Sequence, residues 1–126
     1  MFNKDDPNKI SGLRARIKSW ILQVIVLARK IPKDEVSRVF INQLLRSATS
    51  VGANYEEASE SESSKDLIHK LSVVKKEAKE SRYWISLVMC VYPGFENECS
   101  IVLQECQELV QIFSSIISKK RKVIEP

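Results

Sequence analysis

The sequence predicts an all-α protein, folded as an up-down-up-down antiparallel four-helix bundle. Glycine occurs 3 times and proline 4 times in 126 residues, whereas the turns of a many-stranded sheet would need more of both. Four long segments also carry apolar residues at steps of three and four, which aligns them on one face of an α-helix. At 126 residues we expect a single domain, residues 1–126, in which all four helices share one core.

The first helix is predicted over residues 11–31. Its apolar stripe consists of Leu13, Ile17, Trp20, Ile21, Val24, Ala28 and Ile31. Beside it, Leu22, Ile25, Val26 and Leu27 make the apolar surface wider than one bundle core requires. Either this helix lies deep in the bundle or it shows a second apolar face to another subunit, and we favour the subunit contact.

The second helix is predicted over residues 34–60. Pro32 ends the first helix, and the carboxylates of Asp34 and Glu35 suit the positive end of the next helix dipole. The stripe consists of Val36, Phe40, Leu44, Ala48, Val51, Tyr55 and Ala58. The small residues within it, which include Ser47 and Gly52, are expected to admit a neighbouring backbone. Beyond them the segment SESESS is expected to be a solvated acidic turn.

The last two helices are predicted over residues 65–91 and 97–120, followed by a basic C-terminal tail over residues 119–126. Ser64 is the expected N-cap of the third helix, and Tyr92, Pro93 and Gly94 end it. The third stripe consists of Leu67, Leu71, Val74, Ala78, Ser81, Ile85 and Val88, and the fourth of Val102, Cys106, Leu109, Phe113 and Ile116. Short connections between helices about 30 Å long predict antiparallel neighbours.

Two segments carry a family resemblance. LLRSATSVGANYEEA in the second helix and AKESRYWISLV in the third resemble the small bacterial four-helix-bundle family associated with intervening sequences in 23S ribosomal RNA genes. The matching positions are Gln43, Leu44, Arg46, Ser50, Asn54, Glu57, Ala78, Glu80, Tyr83 and Trp84. Ala58 departs from the family's usual glycine, and Lys76 with Glu77 replaces its usual small pair, which makes that face more charged.

The resemblance carries expectations about assembly and partners. It implies a homopentamer and kinship with the accessory proteins of diversity-generating retroelements, which are pentameric bundles that bind nucleic acid and a reverse transcriptase. Enzymatic activity is not established for the family.

Two groups of basic residues are candidates for binding RNA or DNA. They are Arg14, Arg16 and Lys18 near the start of the first helix, and Lys119, Lys120, Arg121 and Lys122 at the end of the fourth. An antiparallel bundle places these two ends together, and an oligomer would repeat the net charge of +4 carried by each chain. Salt-sensitive, multivalent phosphate binding is therefore expected. The alternative is a solubilising tail that also caps the fourth helix.

Polar residues within the family pattern are expected to form a network between the second and third helices. Its members are Arg46, Asn54, Glu57, Glu80 and Tyr83. An unpaired buried polar group costs about 1 to 3 kcal/mol, so a network that sets helix register is the preferred interpretation, and a binding or catalytic constellation is the alternative. No metal or cofactor is expected, because the only histidine, His69, lacks the Glu-x-x-His pattern of di-metal bundles.

The cysteines, the tryptophans and the lysines of the third helix are expected to have structural roles rather than to form a site. Cys90, Cys99 and Cys106 have no paired spacing and are expected to be reduced and mostly buried. Trp20 and Trp84 are expected to pack against apolar neighbours rather than to stack on bases. Lys75, Lys76 and Lys79 alternate with Glu77 and Glu80, which indicates a solvated face with helical ion pairs.

The sequence favours a non-enzymatic, homo-oligomeric helical bundle that acts as a nucleic-acid-associated adaptor or scaffold. The chain begins without a signal-peptide pattern and has no apolar run that could cross a bilayer, so a cytoplasmic location is expected. One alternative is a protein-protein interaction scaffold that binds no nucleic acid. Another is a metal-dependent or small-molecule enzyme, with which a metal or ligand would copurify and whose pocket would be lined by Asn54, Glu57, Glu80 and Tyr83.

Overall fold

A computed structural model describes residues 10–124 of the chain. Four α-helices make up nearly all of this range: α1 (Ile10–Lys30), α2 (Glu35–Ser59), α3 (Ser64–Val91) and α4 (Glu96–Ile124), with a 3-10 turn at Pro93–Phe95 before α4. Within residues 10–124 there is no strand. Consecutive helices pack against each other and α4 returns to contact α1, which closes the bundle. The predicted all-α four-helix bundle is confirmed.

The helix ends lie within one residue of the predicted ones, except at the end of α4. This helix continues to Ile124, so the predicted basic tail is helical over its described part, and residues 125 and 126 lie outside the described range. Lysine and arginine are good helix formers, and cations near a helix C-terminus interact favourably with the dipole. The cluster from Lys119 to Lys122 therefore extends α4 instead of ending it.

Side-chain caps set the starts of α2 and α3. The Asp34 carboxylate accepts hydrogen bonds from the backbone N–H of Val36 and Ser37, while the Ser37 hydroxyl accepts one from the Asp34 N–H at 2.9 Å. The bond from Ser37, together with a hydrogen bond donated by the Tyr92 hydroxyl, holds the pKa of Asp34 below its usual value. At α3 the cap is Ser63, which accepts from the Asp66 N–H at 3.1 Å, so the expectation for Ser64 was off by one residue.

The predicted stripes of α1, α3 and α4 form most of the core, while α2 differs in its first turns. Trp20 and Phe113 are fully buried, and Trp20 donates from Nε1 to the Val102 carbonyl at 3.1 Å. Val36, predicted to face inward, is 49% exposed, whereas Ser37 is buried. The buried positions of α2 begin with Ser37, Ile41 and Leu44, at steps of four and three, so the inward face starts at Ser37 and the predicted phase at Val36 and Phe40 was wrong. The Ser37 hydroxyl is satisfied there by donating to the Pro32 carbonyl at 2.6 Å.

Candidate nucleic-acid interface

The charges of α3 are divided between two sides of the helix. Ser72, Lys76 and Lys79 recur at steps of four and three and therefore share one face, with Lys75 at its edge. Glu77 and Glu80 lie on the side that packs against α2. The lysines and glutamates that alternate in this part of the sequence therefore lie on different sides of the helix, one basic and one acidic.

The acidic side is partly neutralised from α2. The Arg46 guanidinium lies 3.2 Å from Glu77 and also pairs with Glu80, while Gln43 accepts from Arg46 Nε at 3.0 Å. Glu80 further accepts from Trp84 Nε1 at 3.0 Å. The carboxylates of Glu77 and Glu80 therefore pair with Arg46 and form no ion pair with Lys75, Lys76 or Lys79.

The basic side of α3 faces the end of α4 across a groove of about 340 Å³, called the basic groove below. It is lined by Ser72, Lys75, Lys76, Lys79, Ile117 and Arg121. Among the described residues, none of its four cations has a carboxylate within 4.0 Å. The helical ion pairs expected for Lys75, Lys76 and Lys79 do not form. A concave surface with four unpaired cations is suited to binding phosphate groups.

Two of the predicted basic residues of α1 have intramolecular partners. Arg14 Nε binds Glu56 at 2.8 Å. Arg16 donates two hydrogen bonds to Glu105, at 2.8 and 2.7 Å, and a third to Glu108 at 3.2 Å. Its side chain is only 12% exposed, and the hydrogen bonds to Glu105 raise its pKa further. These two guanidinium groups help to join α1 to its neighbours, and their carboxylate partners weaken their attraction for an anionic ligand.

Lys18 and the basic residues of α4 are placed differently. Lys18, Lys119 and Lys122 are exposed and have no carboxylate partner within the described residues, and Arg121 lines the basic groove. Lys120 is half-buried. Lys119 lies eleven residues beyond Glu108, the residue that Arg16 contacts, which is about 16 Å along the helix. The two predicted clusters therefore do not merge, and the basic end of α4 meets α3 instead.

The short connection between α3 and α4 could have predicted from the sequence that the basic end of α4 meets α3. Only residues 92–95 join α3 to α4, so the first half of α3 must lie beside the last turns of α4. The sequence prediction compared α1 with α4 and overlooked this pair.

The predicted polar network is brought together only in part. Arg46 and Glu80 meet, joined by Gln43, Glu77 and Trp84. Asn54 instead donates to the Ser50 carbonyl of its own helix at 2.8 Å, Glu57 is exposed, and Tyr83 is 55% exposed.

Helix register explains the separation. The hydroxyls of Ser47 and Ser81 lie 2.8 Å apart, which places these two residues at one level of the antiparallel pair. From there, Glu57 lies ten residues along α2, toward the start of α3, whereas Glu80 stays at the level of Ser81. About 15 Å of helix separates them.

Neither a metal site nor a membrane span is found among residues 10–124. No group of three His, Cys, Asp or Glu side chains in this range is arranged to hold a metal ion, and His69 is exposed. None of the helices described combines the length and apolar character needed to cross a bilayer.

An apolar surface lies on the opposite part of the bundle, along α1. Leu22, Val26 and Ile101 are 54%, 51% and 65% exposed and line one groove of about 390 Å³ between α1 and α4. We call these three residues the apolar α1 face, although Ile101 belongs to the adjacent part of α4. Part of the widened stripe predicted for the first helix is thus exposed, although Leu27 is buried.

Comparisons with known proteins agree with this fold. The family model described as 23S rRNA-intervening sequence protein matches residues 15–115. A crystal structure of a protein with unknown function, assigned to the S23 ribosomal protein family of Bacteroides thetaiotaomicron, is 28% identical in sequence. It aligns with a TM-score of 0.76 over 83% of this chain and 97% of that one. No curated protein matches the chain.

Proposed function

Because the chain belongs to the 23S rRNA-intervening sequence protein family, we propose that it is a non-enzymatic, homo-oligomeric scaffold that binds RNA or DNA through the basic groove. The observation that carries this proposal is the segregation of charge on α3. Glu77 and Glu80 are bound by Arg46, whereas Lys75, Lys76 and Lys79 converge on Arg121 without a carboxylate partner in the described part of the chain.

The groove supplies the chemistry that a phosphate backbone requires. Lysine ammonium groups act as mobile point charges, and the guanidinium of Arg121 can donate two parallel hydrogen bonds to one phosphate. Binding releases condensed counterions from the nucleic acid, so affinity depends strongly on salt. Such contacts position a strand without reading its sequence, which suits a scaffold.

Self-association is supported by the apolar α1 face. Leu22, Val26 and Ile101 are exposed apolar residues that line one groove, and covering them with a second copy removes their apolar area from water. The resemblance in sequence described above implies five copies. Repetition of the basic groove around a ring would give each long nucleic acid several attachment points and raise the overall affinity.

The nucleic-acid part is tested by electrophoretic mobility shifts at low salt with a structured RNA and with duplex DNA. The variant Lys75→Gln/Lys76→Gln/Lys79→Gln is expected to bind at least about tenfold more weakly than the wild type. The matched control, Lys18→Gln/Arg29→Gln/Arg38→Gln, also removes three exposed positive charges but leaves the basic groove intact, so its affinity should change by less than about threefold. Equal losses in both variants would contradict a localised site, and no binding by the wild type would contradict the function.

The assembly is tested by light scattering of the purified full chain. The wild type is expected to have a multiple of the monomer mass of 14.4 kDa, and Leu22→Glu/Val26→Glu is expected to dissociate because each buried carboxylate would lack a partner. Val39→Glu, an equally exposed valine on α2, is the control and should leave the mass unchanged. A monomeric wild type would contradict the proposal.

A second candidate function is a protein-interaction scaffold that binds no nucleic acid. The apolar α1 face favours it, since an exposed apolar surface can also receive a partner of another sequence. The two functions differ in one outcome: under the second, neutralising the basic groove leaves complex formation unchanged.

A further inference from the structure

An exposed aromatic residue lies in line with the basic groove. Tyr83 is 55% exposed and follows Lys79 by four residues and Lys76 by seven, so all three are on one face of α3 in successive turns. From Ser72 to Tyr83 this face extends about 16 Å along the helix axis. The basic face of α3 therefore continues to an aromatic ring one turn beyond Lys79, the last α3 residue that lines the basic groove.

The Tyr83 ring has one aromatic contact among residues 10–124. It meets the Trp84 ring edge-on, with the ring centroids 5.2 Å apart and the planes at 68°. Trp84 is itself held by its hydrogen bond to Glu80 and by Phe40, whose ring centroid lies 6.2 Å away. A ring that is already positioned loses little conformational entropy when a ligand stacks on it.

The phenolic hydroxyl does not explain the position of Tyr83. Among residues 10–124 it makes no hydrogen bond. In contrast, the hydroxyl of Tyr92 is bound to Asp34. The contacts that place Tyr83 are therefore ring contacts.

We propose that this face of α3 binds single-stranded nucleic acid, with Tyr83 stacking on one base while Lys76, Lys79 and the rest of the basic groove hold the neighbouring phosphates. This inference rests on the proposed function and names its ligand class. Base–aromatic stacking combined with a cationic groove is the general mode of single-strand recognition and tolerates any sequence. At a spacing of about 3.4 Å per stacked nucleotide, about 16 Å accommodates roughly five nucleotides.

A duplex fits this surface less well. In a double helix the base faces are covered by their neighbours, so a tyrosine ring reaches one only after a base step is opened. The phosphates of a duplex remain accessible to the lysines. The two kinds of ligand therefore share the lysines and differ at Tyr83.

The test measures fluorescence anisotropy of the full chain with three dye-labelled probes: a single-stranded uridine 12-mer, the same strand paired with an adenosine 12-mer, and an abasic 12-mer. Tyr83→Ala is expected to weaken binding of the uridine strand by about 5- to 150-fold and to leave duplex binding unchanged. Tyr83→Phe retains the ring and should stay within about twofold of the wild type. The wild type should prefer the uridine strand to the abasic strand, which has phosphates but no bases.

The outcomes separate this inference from the function on which it rests. If Tyr83→Ala binds the uridine strand as tightly as the wild type while Lys75→Gln/Lys76→Gln/Lys79→Gln does not, stacking is wrong and the basic groove stands. If the wild type binds none of the probes, both are wrong. Should Tyr83→Ala fail to fold, equal wild-type affinities for the uridine and abasic strands would overturn stacking by themselves.

Discussion

Arg16 and Lys79 are both cations on amphipathic helices, but their surroundings give them different roles. Arg16 is nearly buried and bound to Glu105, 89 residues away in the sequence, whereas Lys79 lines an open groove without a carboxylate partner among the described residues. Sequence reasoning could identify both residues as basic. It could not find the carboxylate that binds Arg16, because that pairing depends on how α1 and α4 pack.

The three cysteines differ in the same way, and this leads to a prediction. Burial raises the pKa of Cys106 to about 12 and that of Cys99 to about 11, whereas Cys90 is exposed. Two of the three thiols are thus buried, in agreement with the prediction that most of them are. At pH 8 a water-soluble thiol reagent should therefore modify one cysteine in the native protein and all three after denaturation. Mass spectrometry after peptide cleavage checks the site. Rapid native labelling of Cys106 would contradict the packing.

The buried thiols of Cys99 and Cys106 should make the protein less stable at high pH. In the unfolded chain a thiol titrates near its ordinary pKa of 9.0, whereas the buried thiols keep their protons to higher pH. Above about pH 9 the unfolded state therefore binds fewer protons than the native state, and the free energy of unfolding falls as pH rises. Urea melts of the wild type and Cys106→Ala between pH 8 and 10 should show a smaller decline in the variant. Parallel declines would contradict this assignment.

At the scale of elements, α2 and α3 are held in register by small residues. Ser47 and Ser81 are completely buried with their hydroxyls 2.8 Å apart, and the Gly52 backbone meets Ile21 so closely that an added Cβ would lie 2.8 Å from its Cδ1. The prediction that small residues admit neighbouring helices is thus realised on two sides of α2. The sequence prediction missed that Ser37 faces inward, because a serine does not stand out as a core residue although it continues the period of Ile41 and Leu44.

Ser81 provides the test of this contact. Ser81→Ala should cost about 1 kcal/mol or less, because the Ser47 hydroxyl keeps its bond to the Leu44 carbonyl. Ser81→Leu should cost about 2 kcal/mol or more, since the added atoms have no space between the helices. Urea denaturation monitored by circular dichroism compares the two free energies of unfolding. A leucine variant as stable as the alanine variant would show that the helices do not approach closely.

At the scale of the whole molecule, the fold was predictable and the candidate site only partly so. Apolar periods and short connections are local properties of the sequence, and they led to four helices in the correct order. Arg121 was among the predicted basic residues, but its neighbours on α3 were read as self-compensated because Lys75, Lys76 and Lys79 alternate with acids. Only the three-dimensional arrangement shows that Arg46 of α2 binds those acids.

The molecule is therefore divided into surfaces with different proposed tasks. Charged pairs such as Arg14 with Glu56 and Arg16 with Glu105 join the helices. The apolar α1 face is assigned to self-association and the basic groove to nucleic acid. This division predicts that the two activities can be separated, so Lys75→Gln/Lys76→Gln/Lys79→Gln should retain the wild-type mass in light scattering. A loss of assembly in this variant would contradict the division.

The central claim is that phosphate contacts in the basic groove bind nucleic acid, and the salt dependence of affinity tests it most directly. Each contact with a single strand contributes about −0.7 to the slope of log K against log salt concentration. For the uridine 12-mer, the four cations of one groove predict a slope of about −3. Removing the three lysines should reduce its magnitude by about 2. A wild-type slope near zero, or an unchanged slope after their removal, would contradict the claim.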